Sequence, residues 1–316
     1  MKENNNGTRK QYNNVNRHTP VLLKETIENL NLKKGDIFLD ATLGEGGHSF
    51  EICKKLGGDI KIIGIEADTD AIEKAKEKFL TDKYTKNSDF IFIEENFRNL
   101  DKVLDNLKIK KIDGVLFDLG VRSGNFEESN RGFTFQRDEP LLMTFSKKAE
   151  SVPFTAEEII NEWEEKNIRD VLYGYGEEIF AKQIAKNIVS KRKIKPIKTT
   201  FELMEIISSS VPEKYKNRKI HFATKTFQAL RIAVNDEVGA LKEGINKAFN
   251  RVKKGGRIVV ISFHSIEDRV VKMFFKEKVV MGEGIMQIKK PITPSREEIL
   301  LNPRSRSGKL RIIQKT

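Results

Sequence analysis

The stretch Ile37-Phe-Leu-Asp-Ala-Thr-Leu-Gly-Glu-Gly-Gly-His-Ser49 decides how this chain is read. Apolar β-formers end in Asp40, a glycine turn follows, and a helix starts. A second apolar run, Ile62-Ile-Gly-Ile-Glu66, ends in another carboxylate. Strand, glycine turn, helix, strand and acid, in that order, hold a nucleoside at the carboxyl edge of a doubly wound sheet. The spacing Gly44-x-Gly46-Gly47 is not the G-x-G-x-x-G of a dinucleotide site, and it carries two acids, Asp40 just ahead of it and Glu45 inside it. Acids repel a pyrophosphate and attract a sulfonium cation, so the turn favours S-adenosylmethionine; the alternative is a tight strand-to-helix turn with no ligand. Glu66 suits a ribose diol, because a carboxylate accepts from two adjacent hydroxyls, or else it is a solvated acid ahead of a helix starting near Asp68.

Outward from this stretch the pattern continues. A short helix is expected at Leu22 to Leu30, strands at Ile37 to Ala41, Lys61 to Glu66, Phe90 to Glu94 and Gly114 to Asp118, with helices between them. This rhythm means a parallel sheet covered by helices on both faces. It breaks at residue 122. From there to about 220 the apolar spacing is helical, around Ala156 to Trp163, Ile168 to Tyr173, Glu177 to Lys191 and Thr200 to Ser208. The α/β pattern returns with one apolar stripe, Phe227, Leu230, Val234, Val238, Leu241, Ile245 and Phe249, then a strand at Arg257 to Phe263, a helix from about Glu267 to Lys276 and an edge strand at Lys309 to Gln314. The expected organisation is a disordered polar tail (1–16), a first core segment (17–121), an inserted helical domain (122–220) and a second core segment (221–316).

The chain has 316 residues, 58 basic and 46 acidic, a formal net charge of +12. That surplus suits a polyanion, most readily nucleic acid; an AT-rich genome that enriches Lys and Asn is the other source. One cysteine, Cys53, forms no internal disulfide and reads as a small buried group. No apolar run reaches the twenty or so residues that span a bilayer, and the Asn-rich start lacks the apolar core of a signal peptide. The expectation is a soluble, cytoplasmic protein without a membrane partner. The histidines His18, His48, His221 and His264 are too scattered to argue for a metal site.

Chemistry-bearing residues gather where strands end. Asp118 closes the fourth strand, facing cofactor or acceptor, or else capping a turn. The loop Arg131-Gly-Phe-Thr-Phe-Gln-Arg-Asp138 follows. Phe133 and Phe135 stack a base while Arg131 and Arg137 meet phosphate or a carboxylate, or both rings are simply core. The fifth strand ends in Ser262-Phe-His-Ser-Ile-Glu-Asp-Arg269, where Ser265, Glu267 and Asp268 either cap a helix or act. The densest basic run, Lys182 to Lys198, includes Lys191, Arg192 and Lys193; a second comprises Lys214, Lys216, Arg218 and Lys219; and Arg304 and Arg306 sit in a tail loop. These are candidate RNA contacts, or solvated helix faces.

The blocks HTPVLLKE (18–25), DATLGEGGHS (40–49), DGVLFDLGV (113–121), RGFTFQRD (131–138), YGEEIFAKQIA (175–185), ATKTFQALRIAVNDE (223–237), ISFHSIEDRVVK (261–272) and NPRSRSGKLR (302–311) resemble, in the same order, the bacterial ribosomal small-subunit RNA (cytosine-N4)-methyltransferase H family. The resemblance runs from His18 to the end. It implies a class I, Rossmann-like S-adenosylmethionine-dependent methyltransferase sheet with an inserted helical domain, acting on the exocyclic amine of one cytosine in the decoding region of 16S ribosomal RNA, as naked RNA or in the assembled small subunit. It implies cofactor contacts from Gly46, Gly47, His48, Glu66, Phe97, Asp118 and Asn125. Glu66 stands where the family more often has Asp, Asn125 where it often has Gln, and Arg122 where a serine is usual. The family's Asp-Gly-Pro-Leu-Asp-Met reads Asp138-Glu-Pro-Leu-Leu-Met143, so Leu142 replaces an acid.

The chemistry this implies is attack by a delocalised amine on the cofactor methyl, with Asp118 or a nearby carbonyl holding the amine hydrogens and His264 or Asp268 taking the proton. Two rivals stand beside it: a methyltransferase for DNA, protein or another RNA, and a non-catalytic RNA-binding assembly factor on the same fold. A nicotinamide dehydrogenase is disfavoured by the glycine spacing.

Overall fold

The computed structural model describes residues 20–85, 88–120, 129–145 and 153–316. The strands are β1 (Ile37–Asp40), β2 (Lys61–Glu66), β3 (Asp89–Glu94), β4 (Ile112–Asp118), β5 (Val252–Ser262), β6 (Gly284–Ile285) and β7 (Lys309–Lys315). Among the described residues they form one sheet in the order β3-β2-β1-β4-β5-β7-β6. β1 to β5 pair in parallel, while β7 runs antiparallel to β5 and to β6. The strand order reverses between β1 and β4, and the crevice at their carboxyl ends is where such a sheet binds ligands. The last strand, expected at the edge, instead lies inside it, because two-residue β6 pairs with its far side.

Helices α1 (Leu23–Leu30), α2 (Gly47–Lys55) and α3 (Thr69–Thr81) cover one face of the sheet. Helices α4 (Leu100–Asn106), α11 (Glu237–Arg251) and α12 (Ser265–Val280) cover the other. Alternate strand residues serve the two faces. Phe38, Ile62, Leu116, Val259 and Ile261 point to the first cluster, and Leu39, Ile63, Val115, Phe117, Ile258 and Val260 to the second. Both faces are dry, so the strands read as unbroken apolar runs rather than alternating ones. Full burial of one such side chain stabilises by about 1.5–3 kcal/mol.

Between β4 and α11 lies a helical layer with its own core: α5 (Ala156–Glu162), α6 (Glu165–Gly176), α7 (Ala181–Arg192), α8 (Thr200–Ser210), the short α9 (Glu213–Lys216) and α10 (Thr224–Val234). α5 and α8 each begin with a complete capping box, Thr155 with Glu158 and Thr199 with Glu202. The helix expected over Glu177 to Lys191 is shorter: Glu177 takes a left-handed conformation, φ 49°, that ends α6.

The stripe from Phe227 to Phe249 is not one helix. Asn235 ends α10, and Asp236 turns left-handed (φ 44°) before α11. Phe227, Leu230 and Val234 belong to the helical layer's core, whereas Leu241, Ile245 and Phe249 pack on the sheet. The helical core therefore extends past residue 220 to Val234. Asn235 makes the junction rigid: its amide donates to the Met143 carbonyl at 2.7 Å and accepts from the Phe145 amide at 2.8 Å. Helix α13 (Arg296–Leu301) and a 3₁₀ turn at Pro303–Ser307 precede β7.

Candidate active site at the carboxyl edge of the sheet

The glycine turn is built by close packing. Gly46 caps α2 at φ 72°, and a Cβ there would lie 2.8 Å from the Phe79 ring. A Cβ on Gly47 would lie 2.5 Å from Pro20. Glu66, at the end of β2, accepts from the Gly44 amide at 2.9 Å and from the Ala67 and Asp68 amides at 2.9 and 3.0 Å. It thus ties the turn to the second strand.

Asp40 is not an acid of the pocket mouth. It is 1% exposed, lies under the start of α2, and accepts from Ser49 Oγ at 2.5 Å and from the Thr42 amide at 3.3 Å. Burial pushes its pKa up to about 6, against the lowering effects of Ser49, His48 and Thr42. Its sequence position beside the glycines was legible; its burial comes from the packing of α2 and Ser49.

His48 and Asp118 are brought together. His48 is 5% exposed, and its Nε2 lies 3.5 Å from Asp118 Oδ2. Both ring nitrogens of His48 and Oδ1 of Asp118 are buried without a hydrogen-bond partner. The Asp118 amide donates to Thr42 Oγ1 at 2.6 Å, joining the ends of β1 and β4. Phe97 lies in the 3₁₀ turn after β3, half-buried, its ring edge-on to Phe117 at 5.6 Å. Asn125 and Arg122 lie outside the described residues.

The β5–α12 cluster is largely committed to structure. Asp268, expected as a proton acceptor, is instead locked: Oδ1 accepts from Arg311 Nε at 2.6 Å and Oδ2 from Arg311 Nη2 at 3.1 Å. Burial opposes its charge, but the Arg311 hydrogen bonds and charge, with Lys309, hold the carboxyl below its ordinary range. A carboxylate held on both oxygens and hard to protonate does not serve as a base. His264 caps α12: Nδ1 accepts from the Glu267 amide at 3.3 Å, and Glu267 Oε2 accepts from the Phe263 amide at 2.9 Å. His264 Nε2 lies 3.1 Å from Glu267 Oε1. Glu237, His264 and Glu267 could surround a cation, but Arg231, bidentate on Glu237 at 2.8 and 2.9 Å, already supplies positive charge there.

Sequence reasoning missed Glu177. Its carboxylate accepts from Ser265 Oγ at 2.7 Å and pairs with Arg269, fastening α6 to the start of α12. The Ser265 hydrogen bond, assisted by Arg269, lowers its pKa against burial. A left-handed Glu gives no signal in sequence.

The RNA candidates separate. Phe133 is 5% exposed and packs against Phe145 at 5.8 Å, so it belongs to the helical core and offers no surface to a base. Arg131 Nη1 donates to the Thr144 and Phe145 carbonyls at 2.8 and 2.7 Å; this arginine holds its own loop. Arg192 donates to the Ile160 carbonyl at 2.7 Å, closing α7 onto α5. Arg137, Lys191, Lys193, Arg304 and Arg306 are exposed, and Phe135 is half-buried, stacked on His221 at 4.5 Å. Glu139, which departs from the family pattern, is 3% exposed and accepts from the Gly132 amide at 2.9 Å, closing the 131–139 loop. Leu142 is half-buried.

Comparison with known proteins places the chain among methyltransferase relatives. The profile of the MraW methylase family matches residues 15–316. A protein of Clostridium botulinum (strain Loch Maree / Type A3) named Ribosomal RNA small subunit methyltransferase H is 44% identical over 314 residues, covering 95% of this chain and 99% of its own length. A protein of the same name from Carboxydothermus hydrogenoformans is 44% identical over 313 residues, covering 94% and 97%.

Proposed function

The chain belongs to the MraW methylase family, and on that premise we propose that it transfers the methyl group of S-adenosylmethionine to the N4 amine of one cytosine in the decoding region of 16S ribosomal RNA. The observation that carries the site assignment is the orphaned pair at the β1–β4 switch point: the His48 ring nitrogens and Asp118 Oδ1, buried with no partner. Buried polar atoms are rarely left unpaired, and these lie where this sheet type binds a nucleoside.

The residues present fit the cofactor. Gly46, Gly47, His48, Glu66, Phe97 and Asp118 would hold it, supported by the family resemblance and by their place along the carboxyl ends of β1, β2, β3 and β4. When bound, S-adenosylmethionine supplies an electrophilic methyl on a sulfonium cation. Carboxylates at Glu66 and Asp118 give that cation a favourable field in a partly dry crevice.

The Asp118 carboxylate, whose side chain is 26% exposed, accepts a hydrogen of the cytosine amine. Drawing that N–H toward the carboxylate frees the nitrogen lone pair from the ring and leaves an acceptor beside the proton the amine sheds. His48 Nε2, 3.5 Å from Asp118 Oδ2, orients the carboxylate. His264 is less suited to the proton, because in the neutral ring its one lone pair, on Nδ1, caps α12. Positioning supplies much of the rate. The target base must be splayed from its neighbours, and the exposed Arg137, Lys191, Lys193, Arg304 and Arg306 are assigned to phosphate contacts. We place the substrate-binding part between β4 and α11. No helix of the described residues is long and apolar enough to cross a membrane; a ribosomal substrate puts the protein in the cytoplasm.

The test is transfer of labelled methyl to small ribosomal subunits, naked 16S RNA, DNA and protein, with mass mapping of modified nucleosides. One N4-methylated cytosine in 16S RNA is expected, lost in Asp118→Asn. Label only on DNA or protein would overturn the substrate, and failure to bind either the cofactor or its demethylated product in calorimetry would favour a non-catalytic assembly factor.

A further inference from the structure

Phe135, His221 and Phe222 form a pile of rings on the helical layer. Phe135 and His221 lie 4.5 Å apart, 11° from parallel, and His221 and Phe222 lie 4.2 Å apart at 31°. Phe227 meets Phe135 edge-on at 5.3 Å and anchors the inner end in the core. His221 is exposed, and its Nδ1 accepts from the Ala223 amide at 3.3 Å, so the neutral ring carries its proton on Nε2. At the outer end Phe222 forms part of the wall of an open groove of about 440 Å³, with Met204, Glu205, Ser208, Ser209 and Lys216. That volume is within the range of small-ligand sites. Lys214, Arg218 and Lys219 are exposed in the chain segment that carries Lys216, Arg218 lying over the Tyr215 ring at 4.8 Å, so in this segment cations outnumber the acid Glu213, which pairs with Lys216 at 3.1 Å.

The groove is joined to the reacting edge. Lys225 Nζ donates to the Glu177 carbonyl at 2.8 Å, and the Glu177 carboxylate holds Ser265 at the start of α12. The segment carrying the ring pile is therefore pinned, within one helical turn, to the loop that bears His264. An aromatic ring, hydroxyl and carboxylate groups on the same wall and cations in the adjoining segment are the combination that receives unpaired nucleotides.

We propose that this groove seats one unpaired nucleotide flanking the target cytosine, its base against Phe222 and its phosphates against Lys216 and Arg218. The assignment rests on the RNA-methylation reading and adds to it a second base-binding position outside the catalytic crevice.

The test is binding of a fluorescent single-stranded oligoribonucleotide with the decoding-region sequence, measured without cofactor, beside methyl transfer to small subunits. Phe222→Leu keeps apolar bulk and removes the π face; it is expected to weaken RNA binding about tenfold and to raise KM more than it lowers kcat. Phe222→Tyr, which keeps the face, is expected to bind within about twofold of wild type. Lys216→Gln with Arg218→Gln is expected to flatten the slope of log affinity against log salt by about 0.7 for each phosphate no longer neutralised. Unchanged affinity in Phe222→Leu and an unchanged salt slope in the double variant, with the wild type binding RNA, overturn the groove while leaving the methyltransferase reading intact. A wild type that neither binds the RNA nor methylates subunits removes both.

Discussion

Replacing Asp40 by Asn should stabilise the protein at alkaline pH, which is the reverse of what loss of a hydrogen-bonded acid usually does. Asp40 is fully enclosed beneath α2, and its pKa is raised from 3.8 to about 6, chiefly by burial. The folded state therefore prefers the protonated carboxyl, and the unfolded chain does not. Above pH 6 the native protein holds a charge it disfavours; the penalty declines as pH falls from 6 to 3.8 and is absent below. The difference in pKa converts to about 3 kcal/mol. An asparagine is neutral throughout and can still accept from Thr42, while the Ser49 hydroxyl turns to accept from its amide. D40N is thus expected to exceed wild type by about 2 kcal/mol at pH 8, after about 1 kcal/mol for poorer hydrogen bonds, by roughly a third as much at pH 5, and to fall slightly below wild type near pH 4. Urea denaturation followed by far-UV circular dichroism measures this, and because both proteins share every other titrating group, their difference isolates Asp40. A variant no more stable than wild type at pH 8, or a difference constant from pH 8 to 5, refutes the argument.

Asp268→Ala should lower stability by about 3–5 kcal/mol in thermal unfolding, since it leaves Arg311, 8% exposed, without its partner; the kcat pH profile should keep its shape, and loss of an acidic limb would restore Asp268 as the proton acceptor. Asp118→Asn should reduce kcat by about 10²-fold or more with an unchanged circular dichroism spectrum, and activity within tenfold of wild type would contradict the role given to its carboxylate. Gly47→Ala places a Cβ 2.5 Å from Pro20, which should cost about 1–3 kcal/mol and weaken cofactor binding in calorimetry; wild-type affinity would show that the turn tolerates a shifted α2.

The parallel strands were legible because both faces of the sheet are covered, so Phe38-Leu39, Ile62-Ile63 and Val115-Leu116-Phe117 are apolar without interruption. The glycine turn and the acid ending β2 were legible because backbone geometry at such a turn restricts residue type locally. Roles that depend on a distant partner were not. Asp268 looks like any helix-start acid until Arg311, 43 positions away, closes on it. Phe133 and Phe135 are two residues apart in one motif, yet the first is core and the second stacks on His221 near the surface.

Residue order alone determined the doubly wound sheet and the helical stretch after the fourth strand, which rest on periodicity, and favoured the cofactor through local turn chemistry, both properties of neighbouring residues; the family was carried by the resemblance of long blocks in the same order. Tertiary structure decided which acids meet solvent, which rings remain at the surface, and where the stripe from Phe227 to Phe249 divides between two cores at Asp236. A helical period specifies that a face is buried but not what buries it. Burial and ionisation are set by what packs there from elsewhere in the chain.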